Sequence, residues 1–215
     1  MAAGTDVRAC PYVVVAAHTR HDEAGVDAIG YLAARLGPVR RTAGGALALP
    51  AQDKSHGVRR CAEAHAELPG RIRSATWFGV AWPVPDLPSA EQEARQIAAL
   101  ALVTGKAAGV HTVADVAVEY AATRNPAVAD RLAAVARRVA GDPGLHAALR
   151  AVISADGDLD RASADLALDR GALDHRLRLI EQLSGHRPTS PLGLGLLATA
   201  LAVSETLKGD GIARW

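Results

Sequence analysis

Apolar and polar positions follow two different periods along this chain, and the change from one to the other divides it. Residues 12–18, "YVVVAAH", form a β-branched run suited to a buried strand. Val26, Ile29, Ala33 and Leu36 then recur at helical spacing. Val39–Thr42 and Ala46–Leu49 flank "AGG", where Gly44 and Gly45 offer the positive φ of a tight hairpin. A helix from about Gly57 to Glu67 buries Val58, Cys61 and Ala62. "SATWFGVAWPV" is the most strand-like stretch of the chain. Ser89 and Gln92 make a capping-box pattern for a helix reaching about Leu102, and Gly109–Thr112 return as a short strand. The expected order over residues 11–112 is β-α-β-β-α-β-α-β.

Beyond residue 112 the strand signal disappears and the punctuation becomes that of helices. Asn125-Pro126 and Gly141-Asp142-Pro143 mark boundaries, because Pro suits a first helical turn and disfavours helix in the residue before it. Helices are expected over Val113–Thr123, Ala127–Ala140 and Pro143 to about Ala155, with a break at Gly157. In "GDLDRASADLALDRGALDHRLRLIEQLSG", Asp160 can cap a short helix holding Ala162, Ala164 and Leu166. Leu168 marks a turn, and Asp169 can cap a longer helix with Leu173, Leu177, Ile180 and Leu183 inward. Ser190-Pro191 opens a last apolar helix to about residue 208. Two capped helices joined by a short turn, the second longer, match a DNA-binding helix-turn-helix as well as an ordinary corner of a bundle.

Composition narrows the classes. Apolar residues make up 49% and aromatics 3%, so the cores must be closely packed Ala, Val, Leu and Ile. A formal charge of +1 gives no global field for nucleic acid, so any such contact must come from a local patch. Cys10 and Cys61 stand apart without metal or redox spacing and read as reduced thiols. No apolar run resembles a secretory leader or a membrane span, and a cytoplasmic protein is expected. The "HTRHD" segment carries His18 and His21 on a strand-to-helix turn, where they need not converge on a metal.

The ordered segments "LHAALRAVISADGDLDRASADLAL", "DRGALDHRL", "LIEQLSG" and "RPTSPLGLGLLATALAV" resemble, over more than sixty residues, the C-terminal helix-turn-helix of the PucR/CdaR family of bacterial transcriptional regulators. "WFGVAWPVPDLPSAEQEARQIAALALVTGKAAGVHTVADV" is similar to the degenerate GGDEF-like domain that precedes this module in the family. The resemblance implies an α/β GGDEF-like domain over residues 1–112, a helical linker over 113–141 and an all-α helix-turn-helix domain over 142–215. It also implies a homo-oligomer that binds DNA. A protein-interaction module with an eroded helix-turn-helix is the alternative.

Two departures from the family pattern bear on chemistry. The hairpin "RTAGGALAL" has Ala46, Leu47 and Ala48 where the family's GGDEF acids would stand, and nucleotide cyclisation needs metal held by carboxylates. No enzyme activity and no cofactor are therefore expected. In the turn before the second helix, the family carries His, Arg, Asn and Thr where this chain has Asp169, Arg170, Gly171 and Ala172. Only the arginine remains. The residues placed for DNA contact are Arg170, Asp174, His175, Arg176 and Arg178, with Arg170 and Arg178 the best donors to guanine or phosphate. A solvated face paired with Asp174 and Glu181 explains the same arginines, and the aspartates at 156, 158, 160 and 165 make the approach acidic. DNA binding should be weaker than the fold alone implies.

Overall fold

The computed structural model describes residues 12–19, 22–82 and 86–210, with side chains from 28 onward in the first helix and up to 207 in the last. The expectations for Cys10, His21 and the side chain of Val26 lie outside the described residues. The chain divides into two compact units, the first reaching to Leu102 and resuming at Lys106–Ala117, the second made of Val103–Gly105 and the chain from Val118 on.

The first unit is mixed α/β. Its elements are β1 (Tyr12–Thr19), α1 (Asp22–Leu36), β2 (Arg40–Arg41), β3 (Leu47–Pro50), α2 (Lys54–Ala66), α3 (Gly70–Arg73), β4 (Thr76–Ala81), α4 (Leu87–Val103) and β5 (Gly109–His111). The sheet order is β2-β3-β1-β4-β5. β1 runs antiparallel to both β3 and β4, β2 is antiparallel to β3, and β5 is parallel to β4. Two βαβ units therefore interleave, β3 lying between β1 and β2 and β1 lying between β3 and β4.

Period-two alternation sorts the two faces. Val13, Val15, Leu49, Phe78 and Val80 pack with Leu32 of α1 and Cys61 of α2. The other face is built of small side chains, Val14, Ala16 and Ala81 meeting Ala90 and Ala94 of α4. At Gly79 the approach is closer still, since a Cβ there would stand 1.9 Å from the carbonyl oxygen of Ala94.

The β2–β3 turn is closed by the Thr42 amide donating to the Ala46 carbonyl at 2.9 Å. Only Gly45 takes positive φ, at 92°; at Gly44 a Cβ would displace the ends of the Glu91 and Arg95 side chains, Glu91 Oε1 lying 1.9 Å from its place. Arg95 pairs with Glu91 at 2.6 Å and donates to the Gly44 carbonyl, which ties α4 to the hairpin tip. Burial pushes the Glu91 carboxyl up, but hydrogen bonds from Thr42, Arg95 and the Ala46 amide, with the Arg95 charge, outweigh it and hold the group below the usual range.

Several local expectations shift. α4 begins at Leu87 and Asp86 accepts from the Ser89 amide at 2.8 Å, so Asp86 caps the helix and Ser89 lies inside it. In α2 the buried set is Gly57, Cys61 and Ala64, whereas Ala62 is exposed. The four-residue α3 had no periodic signal, being shorter than two turns.

The stretch 113–141 is shared between the units. A 3-10 turn (Val113–Val116), boxed by Thr112 and Asp115, and Ala117 belong with the sheet. α5 (Ala117–Thr123) continues into the second unit and buries none of its residues. α6 (Pro126–Ala140) is capped by Asn125 and packs against α10 (Pro191–Asp210). Between them come α7 (Pro143–Ser154), α8 (Leu159–Asp165) and α9 (Arg170–Ser184). Leu145, Leu149, Val152, Leu173, Ile180 and Leu197 form the centre of this helical core. Among the described residues no helix is long and apolar enough to cross a membrane.

Candidate nucleic-acid interface

The geometry of the α8–α9 pair starts from two helix stops. At the end of α7 the Asp156 amide reaches the Ile153 carbonyl at 3.0 Å and the Gly157 amide reaches Val152 at 2.9 Å. At the end of α8 the Ala167 amide bonds to Ala164 at 3.1 Å and that of Leu168 to Ser163 at 3.0 Å. Both are Schellman closures, and the residues in the left-handed position are Asp156 (φ 53°) and Ala167 (φ 52°) rather than glycine. α8 is thus confined to one short segment, and the chain turns within Leu166–Asp169 into α9.

The caps account for part of the acidity. Asp158, not Asp160, caps α8, accepting from the amides of Asp160 at 3.0 Å and Arg161 at 3.1 Å. Asp169 caps α9 as expected, accepting from the Ala172 amide at 2.9 Å. Its carboxylate therefore occupies the helix terminus that would otherwise attract a phosphate. A Cβ at Gly171 would lie 3.2 Å from the same Asp169 oxygen, so the glycine leaves room for the cap.

α9 is oriented by what it buries. Leu173, Leu177 and Ile180 are buried, and the stripe continues through Ser184, whose hydroxyl donates to the Ile180 carbonyl at 2.6 Å. Leu183, expected inward, is 44% exposed, because the helical step after 173, 177 and 180 falls on 184. Arg170, His175 and Arg178 are exposed and Asp174 is half-buried on the face that this leaves outward.

The outward residues are not equivalent. Arg170 is held by two carboxylates, donating from Nη1 to Asp160 and from Nε to Asp174 at 3.3 Å. Desolvation works against its charge, but the hydrogen bonds and charges of Asp174 and Asp160 outweigh it and raise its pKa above the ordinary arginine value. Among the described residues Arg178 makes one long contact of 3.4 Å, from Nε to the Asp174 carbonyl of its own helix. Arg176 is half-buried and turns to the start of α7, its Nη1 3.4 Å from the Gly144 carbonyl. The geometry thus gathers Arg170, Asp174 and Arg178 on one surface with His175 beside them, while Arg176 braces α7 against α9. Glu181 pairs with Arg187 at 3.1 Å rather than with Arg178. Asp160 is the residue that spacing missed as a member of this surface, since its contact to Arg170 crosses the turn. Between residues 156 and 181 seven carboxylates stand against four arginines.

Elsewhere the candidate chemistry is sparse. Cys61 is a free, buried thiol pushed up to about 12 by desolvation, with the Arg60 charge opposing in part. His18 is exposed on β1 opposite Trp77 of β4. Among the described residues no three His, Cys, Asp or Glu side chains gather as a metal site.

Comparison with family models and with curated proteins gives no match. Among solved structures the chain is similar to the crystal structure of a Regulator of Polyketide Synthase Expression from Bifidobacterium adolescentis. The two are 15% identical with a TM-score of 0.38, over 92% of this chain and 80% of that one. A TM-score of 0.38 lies below the level that establishes a shared fold, so function is read from this chain's own side chains.

Proposed function

We propose that this chain is a non-enzymatic regulator of PucR/CdaR type, acting as a homo-oligomer, in which α8 and α9 form the DNA-reading helix-turn-helix. The observation that supports it is the orientation of α9. Burial of Leu173, Leu177 and Ile180 leaves Arg170, His175 and Arg178 outward, on a helix that follows α8 through a closed turn. The hairpin at residues 42–46 has no side-chain carboxylate of its own, which supports a regulatory rather than a cyclase role for the sheet unit.

The test is fluorescence anisotropy with promoter duplex DNA over a salt series. Binding at low salt that weakens steeply with salt is expected, with Arg178→Ala costing about 1 to 3 kcal/mol at a base-reading position and less at a phosphate contact. No binding at low salt by the folded protein overturns the DNA reading.

A second reading draws on the acidic balance of the same face and on the pairing of Arg170 with Asp160 and Asp174. On that reading the helix-turn-helix is a scaffold for a protein partner. A pull-down that loses its partner on Arg178→Ala, together with absent DNA binding, would select it.

A further inference from the structure

We infer that Asp160 is a positioning residue of the helix-turn-helix: together with Asp174 it clamps Arg170, so that a nucleic-acid phosphate or base edge must displace a carboxylate before the guanidinium can bind it bidentately. This inference rests on the DNA reading above and assigns a self-limiting contact to that same surface.

Asp160 stands in the first turn of α8 but does not cap it. An aspartate in the first turn of a helix usually serves the terminus. In α8 the capping hydrogen bonds go to Asp158, whose Oδ1 takes the amides of Asp160 and Arg161. The Asp160 carboxylate is instead directed across the turn to Arg170, ten residues on. Its side chain is 88% exposed, so no surrounding packing holds it there.

The clamp matters because of how a guanidinium binds in pairs. Its two bidentate edges are Nη1 with Nη2 and Nε with Nη2, and each can match a phosphate or the acceptor pair of guanine. Asp160 engages Nη1 and Asp174 engages Nε, so each edge has one arm occupied. The other charged groups on this face do not relieve the pairing. Asp169 is occupied as a cap and Arg178 lies along its own helix at Asp174.

Magnitude decides that this is a clamp and not a lock. Arg170 is 48% exposed and Asp174 47%, and ion pairs this open to water are screened and weak. A polyanion can therefore displace Asp160. Binding proceeds at reduced affinity and with fewer net counterions released, since one cationic group enters the complex already compensated.

The experiment is a salt series of DNA-binding isotherms for the full chain and for Asp160→Asn, Arg170→Ala and the double variant, with circular dichroism confirming the fold. Asp160→Ala serves as a second release variant. Release of Arg170 should tighten binding roughly 1.5- to five-fold at low salt and steepen the log–log salt slope by about one. In the Arg170→Ala background the same Asp160 change should leave the slope unaltered. If Arg170→Ala weakens binding while neither Asp160 variant changes affinity or slope, the clamp is refuted and the DNA reading stands. If steepening persists without Arg170, Asp160 acts only by its own charge and the clamp is again refuted. If neither the natural chain nor the released variants bind at low salt, the DNA reading fails and the inference falls with it.

Discussion

Replacing Leu177 by alanine tests the orientation of α9, on which the assignment of its outer face depends. Leu177 is 3% exposed and belongs to the core formed with α7 and α10. Truncation removes three buried carbons, about 2 kcal/mol of transfer free energy, and leaves a void that adds a comparable amount where neighbours do not collapse. A loss of about 2 to 5 kcal/mol is expected. Leu183 is the control, since it is 44% exposed and its truncation should cost no more than about 1 kcal/mol. Urea unfolding followed by circular dichroism gives both values, and amide hydrogen exchange in α7 and α9 places the loss in the helical unit. Equal losses for the two variants, or a larger loss at Leu183, would mean that α9 is rotated and that Arg170 and Arg178 do not share its outer face.

Three further outcomes follow from local geometry. Ala167→Gly should stabilise the helical unit by about 0.5 to 1 kcal/mol, because alanine occupies a left-handed position at φ 52° that glycine adopts without steric cost; urea midpoints measure it. Cys61, with its thiol pushed up to about 12, should resist iodoacetamide at mildly alkaline pH and label only in denaturant, as read by peptide mass spectrometry. Glu91 ionises below the usual range when folded, so its contribution is present above the unfolded carboxyl's pKa and is lost as pH falls through the depressed folded value. Across that acid window Glu91→Gln should flatten the fall in urea midpoint, and an unchanged fall would exclude the hairpin tie as its source.

Much of the architecture was legible because burial writes a period into the chain. The β-branched run at Val13–Val15 and the apolar spacing of Leu173, Leu177 and Ile180 each have one arrangement that hides them. What failed to show was set by partners distant in sequence or by polar atoms. Strand order is one case, since alternation assigns faces to β1 and β4 but names no neighbour. Ser184 is another: it sits on the buried stripe because its hydroxyl bonds to Ile180, whereas hydropathy favoured Leu183. The cap of α8 was displaced by one residue pair, Asp158 and Asp160 being equally good capping types two positions apart. The same displacement concealed the candidate site, because an aspartate assigned to a cap is not sought as the partner of Arg170.

The contact between Gly79 and Ala94 has a consequence for how this sequence can vary. Most tight packings are negotiable, since a larger residue on one side can be met by a smaller one opposite. Here the opposing group is a main-chain carbonyl, which every amino acid possesses, and the chain atoms around Ala98 stand close behind it. No substitution on α4 can make room for a Cβ at position 79; only a shift of the whole helix could. In a saturation library selected for folding, position 79 should therefore return glycine alone, independent of what changes elsewhere, while the alanines facing it drift with their neighbours.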